Sequence, residues 1–209
     1  MRRRWPRLSL PSRAQGGVGN SECWKCRGED AAAWTGGEGK RGAEAVDRLR
    51  SALRRKEKIR VVTDYDVDGG ASAALLLVWL RGLGMQATLY IPDRIDEGYG
   101  PNVPAMAALA AKHSLILCVD CGTLSHDPIA AAGCDVVVLD HHLGGETLPP
   151  ALAVVNPNRQ DEDGTLGHLC AAAVVFLMLV EANRQLRSTG AQGPDLMAML
   201  DLVALATVA

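Results

Sequence analysis

The amino-acid sequence predicts an α/β fold, an open and mainly parallel five-stranded sheet with helices on both faces. From residue 59 onward, short β-branched apolar runs alternate with stretches of helical period. Each intervening stretch can carry a crossover, and strand–helix–strand alternation with right-handed crossovers is how parallel sheets are wound. Ala, Val, Leu and Gly dominate while Phe occurs once, a composition suited to closely packed layers.

The elements follow in order. From Ala43 to Arg55 the apolar positions Ala43, Val46, Leu49, Ala52 and Leu53 recur at helical spacing among Arg and Glu, predicting an amphipathic helix. Its basic face suits either solvent or a nearby anionic ligand. Ile59 to Asp64 reads as the first strand, and Gly70 to Leu83, apolar nearly all round, as a buried helix. Ala87 to Pro92 is the second strand, and Val103 to Lys112 a helix opened by Pro101-Asn102. Leu115 to Asp120 is the third strand, Ser125 to Ala132 a short helix with Pro128 in its first turn, and Asp135 to Asp140 the fourth strand. Ala153 to Asn156 makes a short fifth strand. A long helix over about His168 to Leu186 follows, and a last one runs from Pro194 or Asp195 to the end.

Residues 1–41 carry Gly-rich and Ser-rich patches without periodicity and read as an irregular basic leader before a domain over 42–209. The net charge of −2 hides this asymmetry: residues 1–60 hold 16 Lys and Arg against 7 Asp and Glu, so the remainder is strongly acidic. The most apolar window, Ala71 to Leu80, is interrupted by Arg81 and Gly82, far short of the roughly 20 residues that span a bilayer. No membrane association and a cytoplasmic location are therefore expected. Two Cys-x-x-Cys pairs, Cys23/Cys26 and Cys118/Cys121, raise a zinc reading, but Cys118 lies inside an apolar strand where a buried thiol is ordinary.

The chemistry concentrates at strand ends. The run Thr63-Asp64-Tyr65-Asp66-Val67-Asp68-Gly69-Gly70 closes the first strand with three carboxylates at alternate positions. In extended backbone such residues project to one side, and their charges require a cation between them. A solvated acidic turn is the competing reading. Asp120 closes the third strand, and Asp140-His141-His142 closes the fourth. In a parallel sheet those ends share one edge, the edge on which open α/β sheets build their sites. Hard oxygen ligands plus imidazole suit Mn²⁺ or Mg²⁺ better than zinc. Sharing an acid such as Asp120 between two ions would give the pair, roughly 3.5–4 Å apart, that hydrolyses phosphate esters. The residues by themselves thus indicate a two-metal phosphoesterase.

Asp64-Tyr-Asp-Val-Asp-Gly69, Val119-Asp120-Cys-Gly122 and Asp140-His141-His142 resemble motifs I, II and III of the DHH phosphoesterase family. Glu97-Gly-Tyr-Gly100, Val155-Asn-Pro-Asn158, Leu169-Cys170 and Asp201 to Ala209 resemble its single-strand-specific branch, the exonucleases that run from the 5′ end in DNA repair and recombination. The resemblance implies that Asp66 and Asp68 bind metal, that Asp64 is an additional acid of the same motif, and that Asp120 bridges two Mn²⁺ or Mg²⁺ ions. It implies that His141 is a metal ligand, that His142 faces the substrate phosphate and that Asp140 orients the imidazoles from behind. Arg94 is placed to meet a DNA phosphate, a surface arginine being the alternative. Single-stranded DNA is the implied partner, with a single-strand-binding protein or helicase as candidate companions.

The departures from that family are also specific. Its closing motif ends in a further Asp directly after the Val-Ala found here, and this sequence stops at Ala209. The family's nucleic-acid-binding domains have no counterpart in 42–209, so a fragment with impaired activity is expected. Other members of the family cleave oligonucleotides or cyclic dinucleotides with nearly the same ligands. A non-catalytic replication scaffold is the reading from another class.

Overall fold

The structure, a computed structural model, describes residues 40–209. The predicted leader lies outside the described residues except for Lys40 and Arg41, and so does the Cys23/Cys26 pair. Lys40 and Arg41 open helix α1 (Lys40–Arg55), which starts three residues before the predicted helix because nothing in Lys40 to Gly42 breaks it. Five strands follow: β1 (Ile59–Thr63), β2 (Ala87–Tyr90), β3 (Leu115–Val119), β4 (Asp135–Leu139) and β5 (Ala153–Val155). All pairs are parallel and the spatial order is β2-β1-β3-β4-β5.

Alternation along each strand builds two cores. Ile59, Val61, Leu115, Leu117, Val119, Val137 and Leu139 face α1, α2 (Val67–Gly82), α5 (Ala171–Ser188) and α6 (Leu200–Val208). Val62, Ile116, Cys118, Val136 and Val138 face α3 (Val103–Ala110) and α4 (His126–Ala130) on the other side. Inside the first layer the indole N–H of Trp79, wholly buried, donates to Asn183 Oδ1 at 2.8 Å and ties α2 to α5. Arg48 ties α1 to the sheet through Glu57 and Asp135, each at 2.6 Å. Among the described residues no helix is long and apolar enough to cross a membrane.

Element ends depart from the predicted ones where side chains intervene. The carboxylate run does not stay extended: β1 stops at Thr63, Asp66 caps α2 by accepting the Gly69 N–H at 2.9 Å, and Asp68 falls in the first helical turn. Helix α2 therefore begins at Val67 rather than Gly70. Helix α5 begins at Ala171 rather than near His168, because the first N–H groups of the helix are taken by Asp68. The last helix is split into a 3₁₀ turn at Met197–Met199 and α6. Strands β2, β3, β4 and β5 each end before the predicted residue, leaving Asp120, Asp140 and Asn156 in the loops that leave the sheet.

Candidate metal centre

The strand order reverses direction between β1 and β3, the switch point at which open α/β sheets leave a crevice. Asp64 and Asp120 stand at its two sides, and Asp140 follows β4 next to it. All three are almost completely buried, at 2%, 1% and 1% exposure. The backbone turns sharply to bring them there: Asp120 has φ +56°, a left-handed conformation that Asp tolerates better than most residues, while its N–H still donates to Leu139 at 2.9 Å.

Neither oxygen of the Asp120 carboxylate has a hydrogen-bond partner. Nε2 of His141 stands 3.2 Å from Asp120 Oδ1 and 3.6 Å from Asp68 Oδ2, and Nδ1 of His142 stands 3.9 Å from Asp120 Oδ1. Donor atoms of Asp64, Asp66 and Asp120 lie within 4.8 Å of one another, as do those of Asp120, His141 and His142, so Asp120 is common to two groups able to hold a cation. A bare buried carboxylate is costly without a counter-charge, and this donor set fits a hard divalent ion. Gly69 leaves the space open, since a Cβ there would lie 2.2 Å from Asp64 Oδ1 and 2.5 Å from Thr63 Oγ1.

The titrating groups carry the same tension. Burial, reinforced by the charge of Asp66, pushes the Asp64 carboxyl up to about 6. Burial pushes Asp120 up to about 7 against the opposing pull of His141, with the charges of Asp68 and Asp64 adding to it. The neighbouring Asp120 carboxylate raises His141 to about 9. Asp140 is different: burial works against its charge, yet donors from His142 and Thr123 hold it down at about 2. Its Oδ1 accepts the backbone N–H groups of His141 at 2.7 Å and His142 at 3.2 Å and the ring Nδ1 of His142 at 2.7 Å. Its Oδ2 accepts the Thr123 N–H at 3.0 Å.

Asp140 Oδ1 is the partner of the His142 ring, but not of the His141 ring. The His141 ring is held instead by the Leu169 carbonyl, 3.1 Å from Nδ1. A carbonyl only accepts, so Nδ1 carries the proton and Nε2 is the nitrogen aimed at Asp68 and Asp120. Asp68 is engaged as well, accepting the N–H groups of Ala171 and Ala172 at 2.8 Å each and so receiving the positive end of α5. Asp64, Asp66, Asp68, Asp120, Asp140, His141 and His142 are therefore brought to one place. Arg94 lies on the rim, its guanidinium 4.9 Å above the Tyr65 ring.

Several neighbours of this centre carry no sequence signal of their own. The Tyr99 hydroxyl donates to the Asp120 carbonyl at 3.0 Å and lies 3.3 Å from His142 Nε2. Tyr65 meets Tyr99 edge to face at 6.4 Å, extending the rim from Arg94 to His142. Their place inside the Asp64–Gly69 and Glu97–Gly100 motifs is the one signal that could have singled them out. Cys118 and Cys121 are free, buried and packed in the second core, with the Cys121 thiol pushed up by Cys118 and by burial, as expected of an inert pair.

Residues 58–207 match the family model described as the DHH family, N-terminal domain. The single-stranded-DNA-specific exonuclease RecJ of Dickeya dadantii is 41% identical over 177 residues, covering 79% of this chain and 31% of that protein. The RecJ of Escherichia coli K12 is 38% identical over the same 79% of this chain. The chain thus spans about a third of the length of these relatives, 31% in both cases. Among solved structures, exonuclease RecJ bound to manganese superposes with a TM-score of 0.69 at 34% identity, covering 81% of this chain and 43% of that one. RecJ in complex with Mn²⁺ from Thermus thermophilus superposes with a TM-score of 0.65 at 32% identity, covering 24% of that chain. The three strand ends and their acids are thus the frame of a known domain, and the chain belongs to the DHH family.

Proposed function

We propose that this chain carries the metal-dependent centre of a phosphodiesterase that removes nucleotides from the 5′ end of single-stranded DNA. The observation that carries this reading is the buried carboxylate of Asp120, without a hydrogen-bond partner and ringed by Asp64, Asp66, Asp68 and His141. These residues would hold two divalent ions, Mn²⁺ or Mg²⁺, Asp120 being common to both donor groups. Such ions, when bound, neutralise charge on the phosphodiester and acidify water. The relatives named as single-stranded-DNA-specific exonucleases support the substrate class.

The chain's own residues divide the remaining work. Asp140, held ionised by its donors, keeps the Nδ1 proton of His142 directed at itself and raises the affinity of that imidazole for a proton at the mouth of the site. His142 is thereby suited to stabilise negative charge on the phosphoryl oxygens. Tyr99 fixes the other ring nitrogen of His142 from 3.3 Å and keeps the Asp120 carbonyl in place. Arg94, exposed above Tyr65, suits a backbone phosphate of the incoming strand. The exposed rings of Tyr65 and Tyr99 favour a nucleic acid over a small phosphate ester. A single-strand-binding protein or helicase supplying that strand, and the cytoplasm as its place, go with this reading.

The test is Mn²⁺ titration calorimetry together with hydrolysis of 5′-labelled single-stranded DNA by the wild-type chain and Asp120→Asn. Loss of both in the variant is expected. Unchanged Mn²⁺ affinity in Asp120→Asn would remove the basis of the assignment.

A further inference from the structure

The Asn156-Pro157-Asn158 turn leaves β5 alongside the His141-His142 turn that leaves β4, and its two amides are spent on that neighbour. The Asn156 side chain, 2% exposed, donates to the His142 carbonyl at 2.8 Å and to Thr123 Oγ1 at 2.9 Å. Its Oδ1 accepts the N–H of Asn158 at 2.8 Å, which sets the direction of the second amide. Nδ2 of Asn158 then donates to the His141 carbonyl at 2.5 Å and to the Gly167 carbonyl at 3.2 Å. The Gly144 N–H returns a bond to the Asn158 carbonyl at 3.0 Å.

The two acceptors of Asn158 belong to the two segments that fix His141 from opposite ends. One is the main chain of His141 itself. The other is the turn over 164–169, whose Leu169 carbonyl holds the ring Nδ1 proton of His141 at 3.1 Å. Two residues further on, the same segment delivers the N–H groups of Ala171 and Ala172 to Asp68. One amide therefore joins the backbone of a candidate ligand to the strap that orients its ring and a second ligand. The strap is shaped around this amide, because a Cβ on Gly167 would lie 2.5 Å from Asn158 Oδ1.

We propose that Asn158 is a positioning residue for the metal centre: by pinning the 164–169 turn to the His141 carbonyl it sets Nε2 of His141 against Asp68 and Asp120, and so sets how tightly a divalent ion is gripped. The inference rests on the metal-dependent reading above. An ordinary loop staple would change stability alone, whereas a positioning amide changes the metal's nitrogen ligation. Groups that orient ligating histidines in this way are worth about 10–100-fold in metal affinity.

The test measures Mn²⁺ affinity by calorimetry, and the imidazole-nitrogen coupling of bound Mn²⁺ by pulsed electron paramagnetic resonance, on the wild-type chain, Asn158→Ala and Gly167→Ala. Gly167→Ala displaces the amide without touching a candidate ligand and carries the test if Asn158→Ala fails to fold. The expected result is affinity about 10–100-fold weaker with diminished nitrogen coupling in the variants. Wild-type affinity and coupling in a folded variant, even one with a lowered melting temperature, overturn the role of Asn158 while leaving the metal centre standing. A wild-type chain that takes up no Mn²⁺ overturns the metal reading, and this inference with it.

Discussion

Nε2 of His141 and Oδ1 of Asp120 stand 3.2 Å apart, yet neither oxygen of that buried carboxylate has a hydrogen-bond partner. An imidazole and an unsatisfied carboxylate are thus held face to face by the ends of two neighbouring strands. Burial raises Asp120 to about 7, and Asp120 in turn raises His141 to about 9, so protons compete with any cation for the same atoms.

Asp120→Asn removes a buried charge that burial disfavours and that His141 offsets only in part. We expect the variant to lose Mn²⁺ binding while its metal-free form melts several degrees higher, the usual trade between site chemistry and stability. Calorimetric titration and thermal unfolding in a chelator check the two halves separately, and an unchanged or lowered melting temperature would count against the strain described here.

The pH dependence of metal-free stability has a definite sign. Asp64 at about 6 and Asp120 at about 7 lie above the ordinary 3.8, so between pH 4 and 7 the native state binds more protons than the unfolded chain and stability falls as pH rises. His141, raised to about 9 from 6.5, contributes stability that is full below pH 6.5 and lost as pH climbs through 9. Asp140, lowered to about 2, contributes above pH 3.8 and is lost as pH falls toward 2. The melting temperature in chelator should therefore peak near pH 4–5 and decline toward pH 8; a flat or rising profile over pH 5–8 contradicts it.

Adjacent glycines in the first turn of α2 should respond with opposite signs. Gly69→Ala would place Cβ 2.2 Å from Asp64 Oδ1, costing about 1–3 kcal/mol through overpacking. Gly70→Ala meets nothing within 4 Å and should stabilise by about 0.5–1 kcal/mol through helix propensity. Urea denaturation of the two variants reads the difference, and equal effects would show that the crevice above Gly69 is not constrained.

Asp140→Asn should leave Mn²⁺ uptake largely in place but release the ring of His142, whose Nδ1 loses a charged acceptor at 2.7 Å. The imidazole pKa of His142, followed by NMR titration, should drop toward the ordinary histidine value, and hydrolysis of single-stranded DNA should fall on the order of 100-fold. A His142 titration that does not move would assign its elevation to another group.

Much of this protein was legible in the chain of letters alone. Short continuous apolar runs alternating with helical stretches determined a parallel sheet, and the acids that follow three of those runs fell on one edge, because parallel strands all point the same way. The same spacing singled out Asp64, Asp66, Asp68, Asp120, Asp140, His141 and His142. Only the tertiary structure decided how those residues divide. It set Asp66 as a helix cap, gave Asp68 two N–H partners from a helix more than a hundred residues away, tied Asp140 to the ring of His142, and left Asp120 bare. Tyr99, the Leu169 carbonyl and Asn158 entered the site the same way. Their roles depend on which loops meet once the sheet is assembled: the motifs that hold Tyr99, Asn158 and Leu169 mark those segments, but spacing does not express which carbonyl or amide meets which ligand.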